Sequence, residues 1–222
     1  MLYLYNKEAG KPQLTLSGDD HRYIFKVRRH KAEDILHLRN LEDGLLHTYS
    51  VTHIDKRSVI LDLKESQILE VKARRSLHIG WCVIDPKNIE KVLPSLNEMG
   101  VEKITFIYCK RSQKSFKPDF KRLEKILLNS SQQSGRSEMM QLETADDLED
   151  FLKENPQSKM LNFSKNSFVS NTAFETIVVG CEGGFTQEEE TLFSSKDVIG
   201  FDTSLVLKSE SAVCAVCSQK LL

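Results

Sequence analysis

Two segments combine residue types and spacings that chemistry can use. The first is Gly180-Cys-Glu-Gly-Gly-Phe-Thr186, set directly after the apolar run Thr176-Ile-Val-Val179 and directly before Gln187-Glu-Glu-Glu190. Thr186 and Glu189 stand at capping-box spacing, so a helix is expected to start there. A strand, a glycine turn and a helix make a ligand-binding corner: Gly180, Gly183 and Gly184 permit positive φ and let a ligand approach main-chain amides at the carboxyl end of a strand. A phosphate is a poor fit. The turn lacks the Walker lysine and the GxGxxG spacing, it carries Glu182, and three further glutamates already occupy the favourable end of the next helix. A neutral or cationic ligand suits it better, although the same glycines would also serve a turn with a purely geometric task. The second segment is Leu205-Val-Leu-Lys-Ser-Glu-Ser-Ala212, in which an apolar loop able to hold an adenine or a thioether ends in Lys208. Ser209 is expected to cap a last helix through Ala212, Val213, Val216 and Leu221. Cys214-Ala-Val-Cys217 has the spelling of a redox or metal motif, but it falls well inside that helix and reads as small packing residues.

Charge adds a third feature. The chain has 222 residues and a net charge of -1, yet residues 101–136 carry +6 and residues 137–222 carry -9. Arg22, Lys26, Arg28, Arg29 and Lys31 form one basic cluster. Lys103, Lys110, Arg111, Lys114, Lys117, Lys121, Arg122, Lys125 and Arg136 form another. Local positive faces of this kind suit a phosphate backbone, and they also suit an ordinary solvated surface. The five cysteines are scattered, with no histidine pair at zinc spacing, so neither a disulfide framework nor a structural metal is expected and reduced thiols are the default. No run approaches the roughly 18 apolar residues of a membrane span, and the polar start does not resemble a secretory signal, which gives a cytoplasmic expectation.

These segments need a frame. Over residues 1–72 the signals are short and β-like, in Val51–Ile54, Val59–Leu63 and Ile68–Val71, with a turn at Glu42-Asp-Gly44, as in a small β-barrel or sheet domain. From residue 73 to 222 strand and helix alternate, the signature of an α/β domain with a parallel sheet. Leu77–Ile84, Ile104–Tyr108, Met160–Phe163 and Thr176–Val179 read as strands. Helices are expected after Asp85-Pro86, kinked at Pro94 and closed by Gly100, then through Phe120, Leu123, Ile126 and Leu127, and around Leu148, Phe151 and Leu152.

The order of motifs resembles the bacterial small-subunit (16S) ribosomal RNA uridine N3 methyltransferases, a family of the knotted α/β methyltransferase (SPOUT) superfamily. The resemblance spans almost the whole chain. It is carried by His21-Arg-Tyr-Ile-Phe-Lys-Val-Arg28, Glu98-Met-Gly-Val101, Arg111-Ser112, Gln132-Gln-Ser-Gly-Arg136, the Gly180–Thr186 turn and Val206-Leu-Lys-Ser-Glu-Ser-Ala212. Departures fall on the second half. Cys181 stands where the family has proline, Lys208 where it has arginine and Ser211 where it has threonine, and Asp202-Thr203 replace a Leu-Gly pair.

The resemblance implies a PUA-like or OB-like β-barrel over residues 1–72 that binds RNA. It also implies a trefoil-knotted domain over 73–222 that binds S-adenosylmethionine and forms a homodimer. The cofactor would lie among Leu161 and Asn162, then Val179, Gly180, Cys181, Glu182, Gly183 and Gly184, then Leu205, Val206, Leu207 and Ser209. Methylation at N3 of a uridine requires loss of the N3 proton and stabilisation of charge on the flanking carbonyls, for which Arg136 and Lys208 are the cationic candidates and Glu182 a candidate base. The target base must be unpaired or flipped out, because N3 lies on the Watson–Crick edge. Arg22, Arg28, Arg29, Lys110, Arg111 and Lys114 would hold the surrounding 16S ribosomal RNA, while His21 reads as a packed, hydrogen-bonded histidine. Three other readings stay open: a knotted ribose 2′-O methyltransferase, a non-catalytic RNA-binding assembly factor on the same fold, and a nucleotide-phosphate enzyme using the glycine turn.

Overall fold

In β2 (Gln13–Ser17) Leu14 and Leu16 are buried while Gln13, Thr15 and Ser17 face outward, the period of two that gives a sheet one apolar face. The computed structural model describes residues 2–27, 30, 31 and 34–222. It divides into two compact units, Met1–Lys72 with Ser131–Met139, and Ala73–Ser130 with Met140–Leu222.

The first unit holds a five-stranded sheet in the order β1-β3-β4-β5-β2, with β1 (Leu4–Tyr5) parallel to β3 (Ile35–Arg39) and β4 (Leu45–Ile54), β5 (Ser58–Ile68) and β2 antiparallel. Register shifts at Thr48/Tyr49 and Val51/His53 mark irregularities of the kind that bend a strand pair. Leu16, Leu38, Tyr49, Val59 and Leu61 build the core. A short helix, α1 (Gly18–His21), continues into a π-helical turn, Arg22–Val27. Two expectations change here. Ile68–Val71 is not a strand of its own: Ile68 closes β5 and is 82% exposed, with no further sheet neighbour to bury the residues after it. His21 is buried against the Phe25 ring, but its Nε2 has no hydrogen-bond partner among the described residues.

Residues 131–139 anchor the chain's start. The Gln132 side-chain carbonyl accepts from Tyr5 N (2.8 Å), its main-chain carbonyl accepts from Leu2 N (2.8 Å), and the Tyr3 hydroxyl donates to Arg136 O (2.8 Å). Gly135 has φ +87°, a left-handed backbone angle that calls for glycine.

The second unit is a six-stranded, all-parallel sheet in the order β11-β9-β10-β6-β7-β8. Its inner strands β6 (His78–Cys82), β7 (Lys103–Ile107) and β10 (Thr176–Val179) are nearly continuous apolar runs, as strands covered on both faces must be. β9 (Lys159–Leu161) lies between β10 and β11 (Val198–Ile199). The outer strands β8 (Gln141–Ala145) and β11 escaped the sequence reading because one is polar and the other two residues long.

Helix α2 (Pro86–Met99) starts where Asp85 accepts from Lys87 N, runs on through Pro94 and stops at Gly100, φ +98°. α3 (Phe120–Ser134), α4 (Leu148–Glu154), α5 (Gln187–Glu190) and α6 (Ser209–Leu221) follow, with α6 packed on α2.

The cysteines require a correction. Cys82, ending β6, and Cys109, just past the neighbouring β7, lie 5.6 Å apart at Cα and are joined by a disulfide. Parallel neighbours bring together residues 27 apart in sequence, a proximity that spacing alone conceals. Cys214 and Cys217 are free inside α6, and burial pushes the Cys217 thiol far above its usual range, so the CxxC is inert packing.

Candidate functional site

A cavity of about 560 Å³ opens at the carboxyl ends of β9, β10 and β11, the position at which open α/β sheets receive ligands. Three segments wall it. One follows β9 (Leu161–Ser164), one follows β10 (Val179–Phe185), and one runs from Phe201 through Leu205–Ser209 into α6. All twelve residues expected at a cofactor, from Leu161 and Asn162 to Ser209, line this one cavity.

Local geometry holds each wall. Behind the first, Asn162 N donates to Ile199 O (3.0 Å) and the Asn162 amide donates to Glu190 Oε1 (2.8 Å). Gly200 fits tightly here, since a Cβ would meet Asn162 O at 2.6 Å. The second wall is the glycine turn, in which Gly184 has φ +66° and its N–H donates to Cys181 O (2.9 Å). Its far end is the expected capping box, with Thr186 Oγ1 accepting from Glu189 N and the buried Glu189 carboxylate accepting from Thr186 N.

Ser209 departs from expectation. It is the first residue of α6 and makes no cap; instead its hydroxyl donates to Gly180 O (2.5 Å) and accepts from the indole N–H of Trp81 (2.9 Å). Trp81 is fully buried in the central strand β6. One hydroxyl thus ties the sheet core, the glycine turn and the last helix together.

Of the candidate catalytic residues, Glu182 and Lys208 are exposed and line the cavity. Lys208 stands at the N-cap of α6, where the helix dipole already favours anions, so cation and dipole add at one point. Arg136 belongs to the first unit, is buried and is not among the lining residues. Arg22, Lys110, Arg111 and Lys114 are exposed, and Arg111 also reaches the glycine turn, donating to Gly183 O (2.7 Å) and Phe185 O (2.9 Å). Arg28 and Arg29 lie outside the described residues.

The sequence reading missed Phe163, Ser164, Phe185, Phe201, Thr203 and Ala212 as lining residues. Phe163, Phe185 and Ala212 lay inside segments already singled out, and Thr203 was noted only as a departure from the family; Phe201 follows the unrecognised strand β11 and gave no signal.

The cavity falls within the usual range for a small-molecule site, roughly 300–1,000 Å³. It offers apolar side chains at Leu205–Leu207, main-chain polar groups at a glycine turn and a carboxylate at Glu182. That donor set fits a nucleoside bearing a cationic centre, with Glu182 for the cation and Lys208 at the opposite sign.

Residues 71–220 match the RNA methyltransferase domain family. The chain is 37% identical over 222 residues to the ribosomal RNA small subunit methyltransferase E of Helicobacter pylori, covering 98% of each. A Legionella pneumophila methyltransferase solved in complex with its bound cofactor SAM has the same fold, with a TM-score of 0.79 at 23% identity, covering 98% of this chain and 95% of that one. So has the ribosomal RNA small subunit methyltransferase E of Neisseria gonorrhoeae bound to S-adenosyl methionine, with a TM-score of 0.76 at 17% identity and the same coverage.

Proposed function

The chain belongs to the RNA methyltransferase family, and on that footing we propose that it transfers a methyl group from S-adenosylmethionine to N3 of a uridine in the 16S RNA of the small ribosomal subunit. The observation that carries this reading is the convergence of three distant segments on one cavity, in a chain with full-length similarity to a small-subunit ribosomal RNA methyltransferase.

Bound in the cavity, S-adenosylmethionine supplies an electrophilic methyl group on a sulfonium. The chain's own residues bind and orient. Leu205–Leu207 offer an apolar face for the adenine, and the Gly180–Gly184 turn offers main-chain groups for the ribose and methionine portions. Glu182, which lines the cavity, would complement a sulfonium or accept from a ribose hydroxyl. Uridine N3 must lose its proton, and the charge left behind spreads over O2 and O4. Lys208, backed by the α6 dipole, is suited to stabilise those oxygens, and Glu182, in the alternative where it does not hold the cofactor, is the candidate to take the proton. The part assigned to Arg136 rests on the resemblance alone. Lys110, Arg111, Lys114 and Arg22 supply positive charge for the RNA backbone.

The same proposal includes the finer architecture that the resemblance implies: a PUA-like or OB-like barrel over residues 1–72, a trefoil knot within 73–222 and a homodimer through the second unit. The homodimer rests on the resemblance. No helix among the described residues is long and apolar enough to cross a membrane, and a cytoplasmic location follows from a ribosomal substrate.

Calorimetry with S-adenosylmethionine, paired with tritiated methyl transfer to small subunits from a strain lacking this protein, tests the reading. Binding with label at one uridine N3 is expected. Absence of binding at millimolar cofactor would overturn it in favour of a non-catalytic RNA-binding protein, and label on a ribose hydroxyl would replace the base methylation with 2′-O chemistry.

A further inference from the structure

Arg111 was expected to bind RNA, but its bonds point to a second task. After β7 the chain makes a tight turn, with Ser112 N donating to Cys109 O (3.0 Å), and Lys110 and Arg111 stand at its tip. The Arg111 Nη1 donates to the carbonyls of Gly183 (2.7 Å) and Phe185 (2.9 Å). Its aliphatic stem lies on Gly183, where an added Cβ would be 3.2 Å from Arg111 Cβ. Beside it, Lys110 N donates to Glu189 Oε1 (2.7 Å), while the other oxygen of that buried carboxylate accepts from Thr186 N (2.8 Å). The loop after β7 and the turn after β10 are therefore clasped at Gly183, Phe185 and Thr186.

We propose that Arg111 is a positioning residue for methyl transfer: it fixes the Gly180–Phe185 turn in its cofactor-receiving shape, acting through the Gly183 and Phe185 carbonyls and independently of RNA. The inference rests on the reading of the cavity as the S-adenosylmethionine site. A glycine turn has many accessible backbone conformations, and holding it in one reduces the ordering cost of binding. Both bonds leave the one Nη1, whose two N–H groups are held in the guanidinium plane, whereas a lysine ammonium is shorter-reaching and rotates freely, so it holds the two carbonyls less firmly.

The experiment measures S-adenosylmethionine affinity without RNA, by calorimetry and by the emission of Trp81, the chain's single tryptophan, for wild type, Arg111→Ala, Arg111→Lys and Lys91→Ala. Lys91 is an exposed cation on α2 and controls for loss of charge. Arg111→Ala should weaken cofactor binding by about tenfold, the scale of a charge-assisted hydrogen bond. It should raise the KM for S-adenosylmethionine at saturating RNA while kcat stays within about twofold. Arg111→Lys should keep most of its RNA affinity and still lose cofactor affinity, which separates the clasp from a phosphate contact. Where Arg111→Ala does not fold, Arg111→Lys carries the test. Wild-type binding matched by both variants would overturn this inference alone. No binding by wild type would overturn the cofactor reading and the inference with it.

Discussion

The bridge through Ser209 makes a prediction whose size follows from its geometry. In Ser209→Ala the Trp81 indole N–H, fully buried in β6, loses its acceptor, and the Gly180 carbonyl loses its 2.5 Å donor. An orphaned buried donor costs about 1–3 kcal/mol. Alanine's better helix propensity returns only a few tenths of a kcal/mol. The net expectation is a loss of about 2 kcal/mol, or about 4–8 °C in melting temperature for a chain of this size. Guanidinium unfolding followed by circular dichroism measures the loss, while the emission of the sole tryptophan reports its new surroundings. A cycle with Trp81→Phe isolates the bond itself and should give a coupling of about 1 kcal/mol. A loss under about 0.5 kcal/mol with unchanged emission and no coupling would show that the bridge does not join turn, sheet and helix.

Gly200→Ala would drive a Cβ to within 2.6 Å of Asn162 O and shift the first wall of the cavity, so cofactor affinity measured by calorimetry should fall by at least about tenfold, the equivalent of 1.4 kcal/mol. His78 has its pKa lowered to about 4, by burial first and then by the Lys103 cation. The native state therefore keeps it neutral while the unfolded chain protonates below about 6.5, so stability is full above that pH and declines as pH falls toward 4. Allowing for the ring's partial exposure, about 2 kcal/mol should be lost over that interval, and His78→Gln should flatten the decline in urea titrations at pH 7 and 5. With Cys82 and Cys109 bonded, Ellman titration of the denatured, unreduced protein should find the three thiols of Cys181, Cys214 and Cys217, and prior reduction should raise the count. Arg39 is buried under the Tyr3 ring and donates to Leu45 O and Leu69 O; Arg39→Met should cost about 2 kcal/mol in urea, through carbonyls left without a donor.

Legibility followed the range of the signal. The capping box at Thr186 and Glu189, the Asp85 start and Gly100 stop of α2, and the apolar runs of β6, β7 and β10 depend on neighbours in sequence, and each could be read there. So could the glycine turn and the apolar Leu205–Leu207 loop that wall the cavity. What escaped depends on distant partners. β8 is a strand because β7 lies beside it, with Gln141–Ala145 in register with Lys103–Ile107, and its own sequence is too polar to announce it. The disulfide likewise exists because β6 and β7 are parallel neighbours. Ser209 is the sharpest case. A serine before an apolar helix has an ordinary local use as a cap, and only the fold places Gly180 O and Trp81 Nε1 within its reach.

The Gln132–Arg136 stretch shows why a motif match does not by itself assign a chemical role. Read by resemblance, it places Arg136 among the catalytic candidates. In the first unit, however, Gln132 holds Leu2 and Tyr5, Gly135 supplies a left-handed turn against Leu2, and the Arg136 carbonyl receives the Tyr3 hydroxyl. Desolvation pushes the Tyr3 phenol far above its usual range, and the Arg39 and Arg136 cations oppose that rise. The Gln132 side chain and the Gly135 backbone angle therefore have structural uses that need no substrate, whereas the bond to Tyr3 uses only the main chain of residue 136. By contrast, Glu182 and Lys208 are exposed, and their side chains make no such bond among the described residues. Both line the cavity, so under the proposed N3 chemistry this pair, as proton acceptor and cation, is where substitution is expected to tell most.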